Sequence, residues 1–132
     1  MPFVAIVTVL ALLQFVWLAL QVAKARGRYG VAAPATTGHE VFERHFRIHM
    51  NTQEQLVQFL PTLWIFAVYI SSLWAAALGV VFVIGRVVYA ASYVRDPKTR
   101  TLGFGLTAFP TAAMMIGILI WAARAIWLGA AW

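Results

Sequence analysis

The feature that most restricts the possible folds is a series of apolar stretches, each of a length suited to crossing a lipid bilayer. About 20 apolar residues span a bilayer as a helix, and residues 2–23 form the first such stretch. The further helices are predicted from near residues 40–42 to Ile70, from about Leu73 to Tyr93, and from roughly Leu102 to Trp132. Because the chain has 132 residues, four helices leave no room for a soluble domain. The sequence therefore predicts an all-α integral membrane four-helix bundle that forms a single domain over residues 1–132.

The composition is typical of a membrane protein and excludes several kinds of site. Charged residues make up 11% of the chain, against about 25% in soluble domains. The net charge of +6 does not indicate a nucleic-acid partner, because the Lys and Arg residues lie beside apolar spans and form no basic patch. The chain has no cysteine, which excludes disulfides, thiolate metal sites and a protein thiol nucleophile. Any sulfur chemistry would need a ligand that brings the sulfur.

Basic residues are concentrated in two of the connections between the spans. Lys24, Arg26 and Arg28 lead into the first connection, residues 30–38, and the second connection is residues 95–100. The turn between the second and third spans has no Lys or Arg, and neither does the N-terminus. Positive charge favours the cytoplasmic side, so we expect both basic connections there and both termini outside. The membrane would be the inner membrane in a bacterium or the endoplasmic reticulum in a eukaryote.

A secretory signal peptide is the alternative explanation of the first apolar stretch. Ala23-Lys24-Ala25 resembles a cleavage site. However, no basic residue precedes the apolar run, as the amino-terminal region of a signal peptide would require. A retained first span is therefore the favoured interpretation.

Local signals refine the helix boundaries. Thr37 is a candidate N-cap of the second helix, and Thr99 or Thr101 of the fourth. Pro61 is expected to kink the second helix and Pro110 to interrupt the last. Small residues allow membrane helices to approach closely, and they occur at Ala75, Ala76, Ala77, Gly79, Gly103, Gly105, Ala113 and Gly117. Indole rings settle at the membrane interface, and the candidates opposite the basic connections are Trp121, Trp127 and Trp132.

Two polar stripes interrupt the apolar pattern and form the candidate site. The first comprises Arg44, Arg47, Asn51, Glu54 and Gln58, and the second comprises Arg86, Tyr89 and Tyr93. Spacings of three and four place each stripe on one helix face, and antiparallel neighbouring helices would bring the stripes together. Arginines outnumber carboxylates in this region, which favours a small zwitterionic ligand with more than one carboxylate.

These residues also admit other interpretations. Arg and Tyr can serve as interfacial anchors, and Arg47 can form an internal ion pair with Glu54 that Asn51 bridges. The histidines do not indicate a metal site, because His45 and His49 share a face without a third ligand.

The combined motif resembles the MAPEG family, the membrane-associated proteins of eicosanoid and glutathione metabolism. The likeness lies in Phe42-Glu43-Arg44-x-x-Arg47-x-x-x-Asn51-x-x-Glu54, in Pro61-Thr62-Leu63-Trp64, and in Arg86-x-x-Tyr89-x-x-x-Tyr93 with Arg100 beyond it. It is strongest to the branch of microsomal glutathione transferases and leukotriene C synthases. The resemblance implies a homotrimer of four-helix protomers that binds glutathione between protomers.

The resemblance also implies roles for individual residues. Glutathione, the expected co-substrate, would be held by Arg47, His49, Asn51, Glu54, Tyr89 and Tyr93, with Arg26 supplied by a neighbouring protomer. Arg100 matches the arginine that activates the thiol, and no metal is expected. The other substrate would be a lipophilic electrophile or a lipid hydroperoxide. Gly27, Gln55 and His49 depart from the family pattern, and the Gly27 and Gln55 changes leave the choice of electrophile open.

Two alternative functions are compatible with a four-helix membrane protein. A non-catalytic scaffold that presents lipid, as in another member of the same family, would not need a thiol site, whereas the residues of one are retained together here. A small four-span drug exporter would be expected to carry a carboxylate deep in an early span, and the first span has none.

Overall fold

The computed structural model describes residues 1–129 as four long helices joined by short connections. They are α1 (Pro2–Tyr29), α2 (Glu40–Tyr69), α3 (Ser72–Arg95) and α4 (Thr101–Trp127), with a short 3-10 helix (Pro97–Thr99) between α3 and α4. No strand occurs within residues 1–129. The all-α four-helix prediction is confirmed. The tryptophan at position 132, predicted to lie at an interface, is outside the described residues.

Three of the helical segments are apolar enough to cross a membrane. By length and composition these are Pro2–Tyr29, Ser72–Arg95 and Pro97–Trp127, judged over residues 1–129. Helix α2 is equally long, but its first half carries the charged stripe and lowers its hydropathy. The second predicted span is therefore a helix with a polar first half and an apolar second half.

The helix ends differ from the sequence expectation at two caps. The N-cap of α2 is His39, whose Nδ1 accepts a hydrogen bond from the Val41 N–H at 3.2 Å. Thr37 is therefore not the cap, because α2 begins at Glu40. The N-cap of α4 is Arg100, which makes no side-chain capping bond. The predictions of threonine caps are wrong at both helices.

The remaining boundary predictions have mixed outcomes. The Ser71-Ser72 turn is confirmed, and the Ser71 Oγ accepts a hydrogen bond from the Trp74 N–H at 3.3 Å. Helix α4 runs unbroken through Pro110, so the predicted interruption there is wrong. Helix α2 also continues through Pro61, and the kink expected there stays a prediction. A proline removes one backbone donor, and the neighbouring helices of a membrane bundle can support the rest of the ladder.

An apolar core holds the four helices together away from the basic connections. Helix α3 packs against α1, α2 and α4, and the rings of Phe59 and Phe82 stack at 3.7 Å between centroids. The fully buried side chains of this core include Val4, Phe59, Leu63, Phe82 and Met114, whereas Ile48 and Phe42 belong to two smaller clusters. These contacts fix the positions of α2 and α3, which carry the polar stripes.

Two glycines allow α3 and α4 to approach closely at the end that holds the polar stripes. A Cβ at Gly103 would collide with the backbone of Tyr89, and one at Gly85 would lie 2.8 Å from the Leu106 carbonyl carbon. No side chain larger than hydrogen fits there without a shift of the backbone. Gly103 is thus a packing position as predicted, whereas nothing lies within 4 Å of a Cβ built at Gly105.

The first and second connections lie at the same end of the bundle. The Arg44 Nη1 donates hydrogen bonds to the carbonyl oxygens of Val94 and Arg95 at 2.9 and 3.1 Å, and its Nη2 pairs with Glu40. Arg44 therefore ties the start of α2 to the end of α3. It contributes to the fold at this end and does not join the residues of the candidate site.

Candidate functional site

The first half of α2 presents three polar side chains on one face. The Arg47 Nη1 lies 3.6 Å from the Glu54 Oε1, and the Asn51 Nδ2 lies 3.4 Å from the Glu54 Oε2. The internal ion pair with Asn51 beside it, one of the interpretations of the sequence, is thus formed. About half of each charged side chain remains exposed, 56% for Arg47 and 50% for Glu54. Both are therefore available to a ligand.

A buried arginine of α3 donates hydrogen bonds to the first stripe from the interior of the bundle. Arg86 has no exposed surface, and its Nη1 donates to the Asn51 Oδ1 at 3.0 Å while its Nη2 donates to the Thr52 Oγ1 at 2.6 Å. The Thr52 hydroxyl in turn donates to the Ile48 carbonyl at 2.8 Å. Because the planar guanidinium engages both acceptors at once, it fixes the amide of Asn51 with its NH2 group toward Glu54.

The second stripe continues from Arg86 toward the second connection. The Arg86 guanidinium lies over the ring of Tyr89, 4.2 Å from its centroid, and Tyr89 stacks on Tyr93 at 5.6 Å. Arg100 lies 6.0 Å from the centroid of the Tyr93 ring. The stacked rings of Tyr89 and Tyr93 thus lie in a row between the buried Arg86 and the exposed Arg100. The close contact of α3 with α4 at Gly103 holds the backbone of Tyr89 in place.

Together the two stripes form one continuous cluster, which we call the polar cluster: Arg47, Asn51, Glu54, Arg86, Tyr89, Tyr93 and Arg100. The prediction that the stripes meet is confirmed by the bond between Arg86 and Asn51. The polar cluster contains three guanidinium groups and one carboxylate, so its net charge is positive. Such a site favours an anionic ligand and still offers one carboxylate to an ammonium group.

Two of the predicted site residues lie elsewhere in the protomer. The Arg26 Nη1 donates to the Ala35 carbonyl at 2.6 Å and its guanidinium lies 4.7 Å from the Phe42 ring centroid, so Arg26 braces the first connection. The ring of His49 stacks on Phe15 of α1 at 4.4 Å. His49 is two residues from both Arg47 and Asn51, which places it on the opposite side of α2 at about 100° per residue.

Two residues of the arrangement have contacts that the sequence does not predict. Arg86 was recognised as part of the second stripe, but its partners lie on another helix and its spacing within α3 does not reveal them. Thr52 sits on the buried side of α2, 1% exposed. Its signal in the sequence was slight: a threonine next to Asn51 at a position that otherwise suits an apolar side chain.

Comparison with known proteins identifies the family of this chain. The sequence model of the MAPEG family matches residues 4–120. An uncharacterized protein of Synechocystis sp. is 43% identical over 116 residues, which is 88% of this chain and 85% of that protein. Human microsomal glutathione S-transferase 2 is 39% identical over 118 residues, covering 86% and 80% of the two chains. Leukotriene C4 synthase of Cavia porcellus is 38% identical over 96 residues, covering 73% and 64%. The chain belongs to the MAPEG family.

Proposed function

We propose that this protein is a membrane-bound transferase that conjugates glutathione to lipophilic electrophiles. The observation that carries the proposal is the polar cluster, in which half-exposed Arg47 and Glu54 lie beside an amide fixed by Arg86. Glutathione has two carboxylates, one ammonium group and one thiol, which match the surplus of guanidinium groups and the single carboxylate. The relationship to microsomal glutathione S-transferase 2 supports the same ligand.

The cluster divides into a binding part and an activating part. Arg47, Asn51 and Glu54 would hold the carboxylates and the ammonium group, and Tyr89 and Tyr93 would line the path toward Arg100. A cysteine thiol with an ordinary pKa of about 8.5 is mostly protonated at neutral pH. A cation beside the sulfur favours the thiolate and lowers that pKa. Arg100, exposed at the end of the row, is the proposed catalytic residue.

The proposed reaction is a substitution at the electrophile. The glutathione thiol loses its proton to solvent, the thiolate sulfur forms a bond to an electrophilic carbon, and the leaving group departs with its bonding electrons. With a lipid hydroperoxide, two glutathione molecules would instead be oxidised to one disulfide while the hydroperoxide is reduced to an alcohol and water. The apolar substrate would reach the sulfur from the lipid side.

We further propose that the protein works as a homotrimer, as the family resemblance implies, with Arg26 of one protomer completing the site of the next. In the single protomer Arg26 does not contact the polar cluster, so its role in glutathione binding depends on a neighbour. Native mass spectrometry in mild detergent should show a trimer. A stable monomer that still binds glutathione would contradict this assembly.

The function is tested by binding followed by turnover. Isothermal titration of the detergent-purified protein should show saturable glutathione binding, and conjugation to a model aryl halide should then be measurable by release of halide. A parallel assay with a lipid hydroperoxide distinguishes conjugation from peroxide reduction. Absence of glutathione binding would overturn the proposal and favour the non-catalytic scaffold. Binding without either turnover would exclude both catalytic activities for these substrates.

A further inference from the structure

A second surface, separate from the polar cluster, is an apolar groove between α1 and α3. It encloses about 770 Å³ and reaches the start of α2 at His45 and Ile48. Its apolar lining includes Leu10, Leu13, Trp17, Val83, Val87 and Ala91. We call it the α1–α3 groove. Nothing in the proposed glutathione chemistry uses it.

The α1–α3 groove and the polar cluster lie on opposite sides of α2. His45 lines the groove, whereas Arg47, two residues later, belongs to the cluster. Successive residues of a helix are separated by about 100°, so the two side chains point in nearly opposite directions. A ligand in the groove would therefore be distinct from a ligand in the glutathione site.

The groove changes character along its length, from apolar to basic. On α1, the residues Leu10, Leu13, Trp17, Lys24 and Arg28 follow one another at spacings of three, four, seven and four residues, so they share one face. Lys24 and Arg28 line a smaller pocket that shares His45 with the groove. The end of α3 adds Arg95 to the lining of the groove itself. One end of the groove is therefore basic and the rest is apolar.

The basic end has no anionic partner within the described part of the chain. In residues 1–129 the ion pairs are Arg44 with Glu40 and Arg47 with Glu54. Lys24, Arg28 and Arg95 take part in neither. Lys24 and Arg28 in the smaller pocket and Arg95 in the groove flank His45, which lines both. An occupant with an anionic head and an apolar tail would be complementary to the basic and apolar parts.

The dimensions match one leaflet of a bilayer. Leu10 and Lys24 are fourteen residues apart, which corresponds to about 21 Å of helix rise, and half of the hydrocarbon core measures about 15 Å. The apolar part can accommodate an acyl chain while the basic part lies at headgroup level. We propose that the α1–α3 groove binds an anionic phospholipid of the surrounding bilayer, with its phosphate beside Lys24, Arg28 and Arg95.

The test uses native mass spectrometry of the detergent-purified protein with phosphatidylglycerol and phosphatidylcholine of identical acyl chains. Phosphatidylglycerol should be retained in preference. Arg28→Gln and Arg95→Gln should each lower that retention about fivefold, the equivalent of roughly 1 kcal/mol per basic residue near an anionic membrane surface. Arg124→Gln, at the far end of α4, is the matched control and should leave retention unchanged. Equal retention of the two lipids, or an equal loss in the control, would overturn the proposal.

A steric variant tests the place of the acyl chain. Ala91 is exposed and lines the groove, so Ala91→Phe should reduce retention of both lipids without altering charge. Ala123 is exposed on α4 outside the groove, and Ala123→Phe should have no effect. Unchanged phosphatidylglycerol retention in Ala91→Phe would overturn the assignment of the groove to lipid. A change of oligomeric state in this variant without loss of lipid would overturn it too. If Ala91→Phe does not fold, the charge variants decide. Glutathione is absent throughout, so failure here leaves the proposed function intact.

Discussion

At the scale of single residues, the structure separates three uses of arginine that the sequence presents alike. Arg44 fastens the start of α2 to the end of α3, Arg86 is buried and orients Asn51, and Arg47 and Arg100 remain accessible to a ligand. Ionisable groups in a membrane protein are usually paired or functional. The residues that face an open site are therefore distinguished by exposure and by their hydrogen-bond partners.

Glu54→Gln tests the place of the ligand ammonium group. Removing the charge should weaken glutathione binding by about 1.5–3 kcal/mol, the contribution of a hydrogen bond to a charged group. Isothermal titration measures the loss. Glu40→Gln is the matched control, because Glu40 pairs with Arg44 away from the polar cluster and its loss should leave affinity unchanged. Equal affinity in parent and Glu54→Gln would mean that Glu54 serves only as the partner of Arg47.

Arg86→Lys tests whether Arg86 is a positioning residue for Asn51. A lysine keeps the charge but cannot reproduce the fork that engages Asn51 and Thr52 together, so glutathione affinity should fall about tenfold, given the usual strength of charge-assisted hydrogen bonds. Thr52→Val removes one acceptor of Arg86 and leaves Asn51 in place. Its affinity should stay within a few-fold of the parent, with a lower apparent melting temperature. A loss of affinity in Thr52→Val as large as in Arg86→Lys would show that the effect is general destabilisation.

At the scale of helices, the sequence predicted which segments are helical and which of their faces meet. The lengths of the apolar stretches were enough to predict the four helices. The spacing of the polar residues was enough to predict the two stripes. The caps were missed because a histidine nitrogen accepts the Val41 N–H in place of a threonine oxygen. The bond from Arg86 to Asn51 and Thr52 joins two helices, so no pattern within either helix specifies it. Gly103 and Gly105 also look equivalent in the sequence of α4. Only the position of α3 shows that Gly103 is a packing contact and Gly105 is not.

Gly103→Ala tests the close contact that sets the distance between Tyr89 and the start of α4. The added Cβ would meet the backbone of Tyr89, so overpacking should destabilise the protein by about 1–3 kcal/mol and lower conjugation activity. Circular dichroism during heating measures the first effect and halide release the second. Gly105→Ala is the control, because no atom lies near its Cβ and alanine favours a helix. Similar melting temperatures and rates for the two variants would contradict the packing role of Gly103.

At the scale of the whole molecule, this is an integral membrane protein of the MAPEG family whose charged residues, Arg124 apart, lie toward one end. The end that holds both basic connections also holds the polar cluster and the basic part of the α1–α3 groove. Because positive charge favours the cytoplasmic side, we infer that a water-soluble co-substrate reaches the site from the cytoplasm while the apolar substrate arrives through the bilayer.

Single cysteines test this orientation, since the chain contains none of its own. In bacterial spheroplasts that express the protein in the inner membrane, Ala33→Cys and Lys98→Cys should resist an impermeant maleimide. Leu128→Cys, at the opposite end of the bundle, should react. All three should react after permeabilisation, which controls for exposure of each thiol. Labelling of position 33 or 98 in sealed spheroplasts would overturn the orientation.

The central claim is that a cation in the second connection activates a bound thiol, and Arg100→Ala tests it most directly. Interactions specific to the reactive state change rate more than binding. Glutathione affinity should therefore stay within a few-fold while conjugation falls by about tenfold or more. Arg100→Lys keeps a point charge and should restore part of the activity unless the planar fork is required.

The decisive measurement is ultraviolet difference absorbance on mixing glutathione with the protein at neutral pH. The parent should show the thiolate band. Arg100→Ala should show it only at higher pH, because loss of the stabilising cation raises the pKa of the bound thiol. A thiolate band and conjugation rate in Arg100→Ala equal to those of the parent would contradict the account and move activation to another group of the site, with Arg26 of a neighbouring protomer and the Tyr93 hydroxyl the next to test.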